Sequence, residues 1–128
     1  MGRVLVLGVL LCWSAGAADW RSGVSATVRD LDNPYEKDGR GVEGRQLFRD
    51  YCSDCHGEKG GGTRRAPSLR SRRVAEARPG EVLWLLRNGV RASGMPSFSA
   101  LTDRELWKLV TFVRGLHGAS SRQTAARR

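Results

Sequence analysis

The sequence predicts an all-α domain of three main helices, preceded by an extended arm and followed by a disordered basic tail. Two observations carry this. Three stretches, 42–52, 79–88 and 102–116, place apolar residues at helical spacing. No stretch of useful length alternates apolar and polar residues as a half-buried strand would. Size agrees, because the chain of 128 residues is short enough that one small domain is all it holds once an export segment is set aside.

The chain begins with an export signal, residues 1–18. Arg3 supplies the charge, residues 4–11 the apolar core, and Ala15, Gly16, Ala17 and Ala18 the small residues at which cleavage after Ala17 or Ala18 is expected. The apolar stretch falls short of the ~20 residues that span a bilayer, which argues against a retained anchor. Cys12 lies inside it behind Leu10 and Leu11, which are too bulky for a lipoprotein cleavage site. Residues 19–41 lack helical periodicity, and Asn33-Pro34 and Asp38-Gly39 mark turns, so an extended arm is expected. Trp20, Val24, Val28, Leu31 and Tyr35 are its candidates for packing on the body.

The first helix, 42–52, presents Leu47, Phe48 and Tyr51 on one stripe, with Gly44 leaving room for a second backbone. One further short turn is expected within 71–77. The second helix starts at Pro79, buries Val82, Leu83, Leu85 and Leu86, and stops at Gly89. The third opens on the capping box Thr102-Asp103-Arg104-Glu105 and runs through Leu106, Leu109, Val110 and Val113 to about Leu116. The compact domain is therefore 42–117. Residues 118–128 hold no apolar side chain larger than alanine and carry Arg122, Arg127 and Arg128, the composition of a disordered tail.

The chemistry sits in Cys52-Ser53-Asp54-Cys55-His56. C-x-x-C-H is the spacing at which two cysteines form thioethers with one haem and the histidine ligates its iron. On a helical turn, residues three and four apart share a face, so both sulfurs and the imidazole approach one porphyrin. A thioredoxin-like pair belongs after a strand and before a helix, whereas Cys52 follows a helix and precedes a glycine-rich stretch. A structural zinc site needs four ligands, and Cys12, Cys52, Cys55, His56 and His117 contain no second close pair.

A haem with one axial histidine leaves a second axial position, whose occupant separates electron transfer from chemistry at the iron. Met95 is the candidate: it is the methionine left after the signal, and it lies in a Gly94-Met95-Pro96 loop rather than on an apolar helical stripe. His117 is the rival, although its place at the end of the third helix suits a solvated histidine. The run Gly60-Gly61-Gly62 reads as a turn beside the porphyrin; a phosphate loop would need a lysine and hydroxyl ending that is absent.

Between about Gly44 and Leu116 the chain resembles a class I cytochrome c. The resemblance rests on Gly44 and Phe48, Cys52 to Gly57, Ala66-Pro67-Ser68-Leu69, Arg87-Asn88-Gly89, Gly94-Met95-Pro96-Ser97-Phe98, and Leu109 with Phe112. It implies three helices around one covalently attached haem c, with His56 and Met95 on the iron. It also implies that Gly44 and Phe48 of the first helix pack on Leu109 and Phe112 of the last, and that the Pro67 carbonyl accepts a hydrogen bond from the axial histidine. Haem attachment of this kind takes place outside the cytoplasm in bacteria, which agrees with the export signal and implies a periplasmic protein.

The net charge is +9. Arg64, Arg65, Arg70, Arg72, Arg73 and Arg78 crowd the segment after the haem motif, a face that would steer the protein toward an acidic redox partner, or else a solvated loop. Nucleic-acid binding is not expected of an exported chain without an aromatic and basic surface motif; membrane association, if any, is peripheral through the basic tail. The leading expectation is a single-electron carrier of a respiratory chain that performs no bond chemistry. Its lead-in Asn33-Pro34-Tyr35 resembles that of small cytochromes accompanying quinoprotein dehydrogenases or terminal oxidases. A cytochrome complex is another candidate partner. The alternatives are a haem enzyme or gas-binding protein with a labile sixth ligand, and a permanent haem subunit of a larger oxidoreductase.

Overall fold

The computed structural model describes residues 19–37 and 41–125. Among the described residues six α-helices follow one another: α1 (Ala26–Arg29), α2 (Val42–Tyr51), α3 (Ser53–His56), α4 (Arg72–Ala75), α5 (Pro79–Asn88) and α6 (Asp103–Ala125). The described residues contain no strand beyond an isolated bridge between Val90 and Met95. The fold is the expected all-α one, with α2, α5 and α6 as its three main helices.

α6 is the spine against which α2, α4 and α5 pack. It buries Leu106, Leu109, Val110, Val113 and Leu116 along one face, and Leu109 and Val110 are wholly shielded. α2 contributes Gly44, Leu47 and Phe48, and Phe48 meets Phe112 with ring centroids 5.3 Å apart. The apolar contact is reinforced at its edge by an ion pair: Lys108 lays its stem in the interface and donates to Glu43 of α2 at 2.6 Å.

The helix starts obey local chemistry. Glu105 accepts from the Thr102 amide at 2.8 Å while Thr102 Oγ1 accepts from the Glu105 amide at 3.3 Å, so two otherwise orphaned donors are satisfied. Pro79 opens α5, and Glu81 reaches back to the Arg78 amide at 2.9 Å. The expected short turn is α4, capped by Ser71.

Two expectations are corrected. α6 continues past Leu116 to Ala125, so the backbone of 118–125 is helical rather than a disordered tail. Extending a helix already nucleated by packing costs little, and nothing in this segment breaks it as proline would. The remainder of the tail, 126–128, lies outside the described residues, as do the export segment and the Asp38-Gly39 turn.

The arm is not extended either. Asp19 caps a 3-10 turn at Trp20–Gly23 and Ser25 caps α1. Such caps act over three or four residues, too locally to appear as hydrophobic periodicity. Val24 is buried, Trp20 and Tyr35 pack on the core, and Leu31 stays exposed. Asn33 fixes the arm to the spine: buried, it donates to the Trp107 carbonyl at 3.1 Å and to Thr111 Oγ1 at 2.6 Å. Its side-chain Oδ1 accepts from the Tyr35 amide at 2.9 Å, forming the turn at Pro34. Ion pairs complete the attachment, Asp19 with Arg73 and Arg29 with Glu81.

Candidate functional site

The Cys-x-x-Cys-His segment is one helical turn hung from the end of α2. Cys52 closes α2 by donating its amide to the Phe48 carbonyl at 2.9 Å, and its own carbonyl accepts from His56 at 3.0 Å. Its backbone departs from helical geometry, so α3 sets off at a bend. Gly57, with φ +82°, ends it.

Cys52 is buried and Cys55 half-buried, and both are free thiols. Burial, with the neighbouring Cys55 adding to it, pushes the Cys52 thiol up to about 11. Burial thus disfavours the thiolate that a redox nucleophile needs. Among the described residues no three His, Cys, Asp or Glu side chains converge on a metal position.

His56 is buried, and its Nδ1 lies 2.8 Å from the Pro67 carbonyl oxygen. A carbonyl only accepts, so Nδ1 carries the proton and Nε2 presents its lone pair. The loop between them is folded on itself to make this contact. The Gly62 amide donates to the His56 carbonyl at 2.8 Å and the Leu69 amide to the Gly60 carbonyl at 2.9 Å. Gly62 has φ +88°, and a Cβ there would stand 2.6 Å from the Ser68 nitrogen, so only glycine lets the two strands of the loop close. The glycine run thus serves the loop's closure onto Pro67. Thr63, which no sequence feature singles out, donates its hydroxyl to the Cys55 carbonyl and accepts from the Arg65 amide. No periodic or motif signal marks such a residue.

Met95 lies at the end of a tight loop leaving α5. Val90 and Met95 exchange backbone hydrogen bonds of 3.0 and 3.1 Å around the turn Arg91–Ser93 and the left-handed Gly94. Gly89, with φ +67°, allows the return, since a Cβ would lie 2.6 Å from the Met95 carbonyl oxygen. Met95 is half-buried and packs against the core cluster to which Cys52 belongs. Phe98 anchors the loop by donating to Leu86 at 2.8 Å, and its ring meets that of Tyr51 edge to face. His117 is engaged elsewhere: it stands on α6 with Nδ1 2.6 Å from the Arg70 carbonyl.

The arginine-rich segment is rearranged by folding. Arg72 pairs with Glu76, Arg73 with Asp19 and Arg78 with Asp30, while Arg70 donates to the Lys59 carbonyl. These four do not form the free face that the sequence suggests. Arg64 and Arg65, on the loop carrying Pro67, and Arg91, on the loop carrying Met95, are exposed and make no ion pair among the described residues. Each of the two loops that carry Pro67 and Met95 thus presents unpaired positive charge.

The donor set fits a covalently attached haem: two cysteine sulfurs on one turn, an imidazole with a fixed tautomer beside them, and a thioether on a tight loop. No helix among the described residues is long and apolar enough to cross a membrane. The family described as Cytochrome C oxidase, cbb3-type, subunit III matches residues 39–113, more than half of the chain. No curated protein and no solved structure matches.

Proposed function

We propose, for a chain that belongs to the Cytochrome C oxidase, cbb3-type, subunit III family and so is a c-type haem domain working in haem-based electron transfer, that it is a periplasmic single-electron carrier with His56 and Met95 on the iron. When bound, the haem supplies an Fe(III)/Fe(II) couple. Cys52 and Cys55 hold it through thioethers, since residues three and four apart on a helical turn share a face with which both sulfurs and His56 can approach one porphyrin. The observation that carries the reading is the 2.8 Å contact of His56 Nδ1 with Pro67, which leaves Nε2 as the donor and stops the ring from rotating. The neutral Met95 thioether favours the reduced iron, so the potential lies above that of a bis-histidine haem.

In this reading the protein passes single electrons and performs no bond chemistry. Arg64, Arg65 and Arg91 would steer the carrier toward an acidic-faced redox protein such as a quinoprotein dehydrogenase, a cytochrome complex or a terminal oxidase. Export by a cleaved signal at residues 1–18 places it in the periplasm. A redox titration of the matured protein tests the function: a single one-electron wave above the bis-histidine range supports it, and steady peroxide turnover by the native form contradicts it.

One observation favours a second reading. The family is described as an oxidase subunit, and the arm outside its match is ion-paired to the body along its length. In this reading the chain is a permanent haem subunit, and co-purification with an oxidase that survives high salt would establish it.

A further inference from the structure

We infer that Tyr51 is a positioning residue whose ring latches the methionine loop to the haem-attachment helix and so sets how readily Met95 leaves the iron. The inference rests on the Met95 ligation proposed above. Tyr51 is the last residue of α2 and immediately precedes Cys52; Phe98 follows Met95 by three residues. Their rings meet edge to face, with centroids 6.3 Å apart and planes at 77°.

The loop's other fastenings run elsewhere. Val90 and Met95 bond to each other, Phe98 donates to Leu86, and the Ser97 hydroxyl donates to the Arg87 carbonyl. Among the described residues the hydrogen bonds that tie this loop to a helix end on α5, and none reaches α2. The helix from which the cysteine turn hangs and the loop bearing the methionine are therefore joined by an aromatic pair. Tyr51 keeps 48% of its surface exposed, and its hydroxyl has no hydrogen-bond partner among the described residues. The ring, not the hydroxyl, makes the contact.

A second ligand reaches the iron only while Met95 has swung away, so its apparent affinity scales with the fraction of molecules in which the loop is open. An edge-to-face pair contributes enough that its loss raises a small open fraction roughly two- to tenfold. The effect appears without loss of the covalent haem, because neither ring is an attachment point.

Imidazole binding to the oxidised, periplasmically matured protein tests this, with the weak red methionine-to-iron band read in each sample. Tyr51→Ala and Phe98→Ala are each expected to raise imidazole affinity roughly two- to tenfold. Tyr51→Phe should match the wild type, and the double alanine variant should gain little beyond the larger single effect, as for partners in one contact. The latch is overturned if Tyr51→Ala binds imidazole like the wild type while the methionine band is present. It is equally overturned if Tyr51→Phe behaves like Tyr51→Ala, or if the single effects simply add. A wild type without the methionine band overturns the Met95 reading itself, and the latch with it.

Discussion

The Pro67 carbonyl has no proton to give, so its 2.8 Å contact decides the tautomer of His56 and frees Nε2. That contact depends in turn on Gly62, where positive φ and the nearby Ser68 nitrogen both exclude a side chain. Gly62→Ala is expected to cost about 2–4 kcal/mol, from a strained backbone and a steric clash. Denaturant unfolding of the matured protein measures it, and the potential should fall or broaden as His56 loses its fixed orientation. At this scale the motif was legible, because a cofactor bonded at two sulfurs demands one spacing. Pro67 was legible only by resemblance, since nothing in the sequence brings residue 67 to residue 56. Thr63 and the pairing of Tyr51 with Phe98 carried no signal, because each arises from loops meeting in space.

The helices were readable where an apolar stripe coincided with a cap or a stop: α2 and α5 lie within a residue of their predicted bounds. The end of α6 was not, because its last turns extend a packed helix without adding apolar residues. Nor was the arm, whose grip on the body is polar. Asn33→Ala leaves the Trp107 carbonyl without its side-chain donor and removes the donor to Thr111 in a buried setting, and should cost about 1–3 kcal/mol. Limited proteolysis should then cut within 19–37 before the rest of the domain. The interface of α2 with α6 has its own pH dependence. The Lys108 ammonium holds Glu43 below its ordinary value of 4.5. A depressed carboxyl contributes stability that is present above its unfolded pKa and lost as pH falls through the folded one. Glu43→Gln should therefore flatten the acid limb of the stability profile below about pH 4.5, as read by thermal unfolding across pH.

Across the whole molecule, folding separates two kinds of charge. Carboxylates of the arm and of the α4–α5 region neutralise Arg72, Arg73 and Arg78, while Arg64, Arg65 and Arg91, on the loops that carry Pro67 and Met95, stay exposed without an ion pair among the described residues. The sequence shows six arginines in a row of residues; only the fold shows which of them are spent internally. Charge reversal at Arg64 and Arg65 together is expected to slow association with an acidic redox partner roughly tenfold at low salt, and by less as ionic strength rises. Stopped-flow electron transfer at several salt concentrations reads this directly. The central claim, an iron held between His56 and Met95, meets its most direct test in absorption spectra of the oxidised and reduced protein, with carbon monoxide added to the reduced form, beside those of Met95→Ala. A weak red methionine-to-iron band and indifference to carbon monoxide are expected in the wild type, both lost in the variant. A native form that lacks the band and takes up carbon monoxide at once would contradict it.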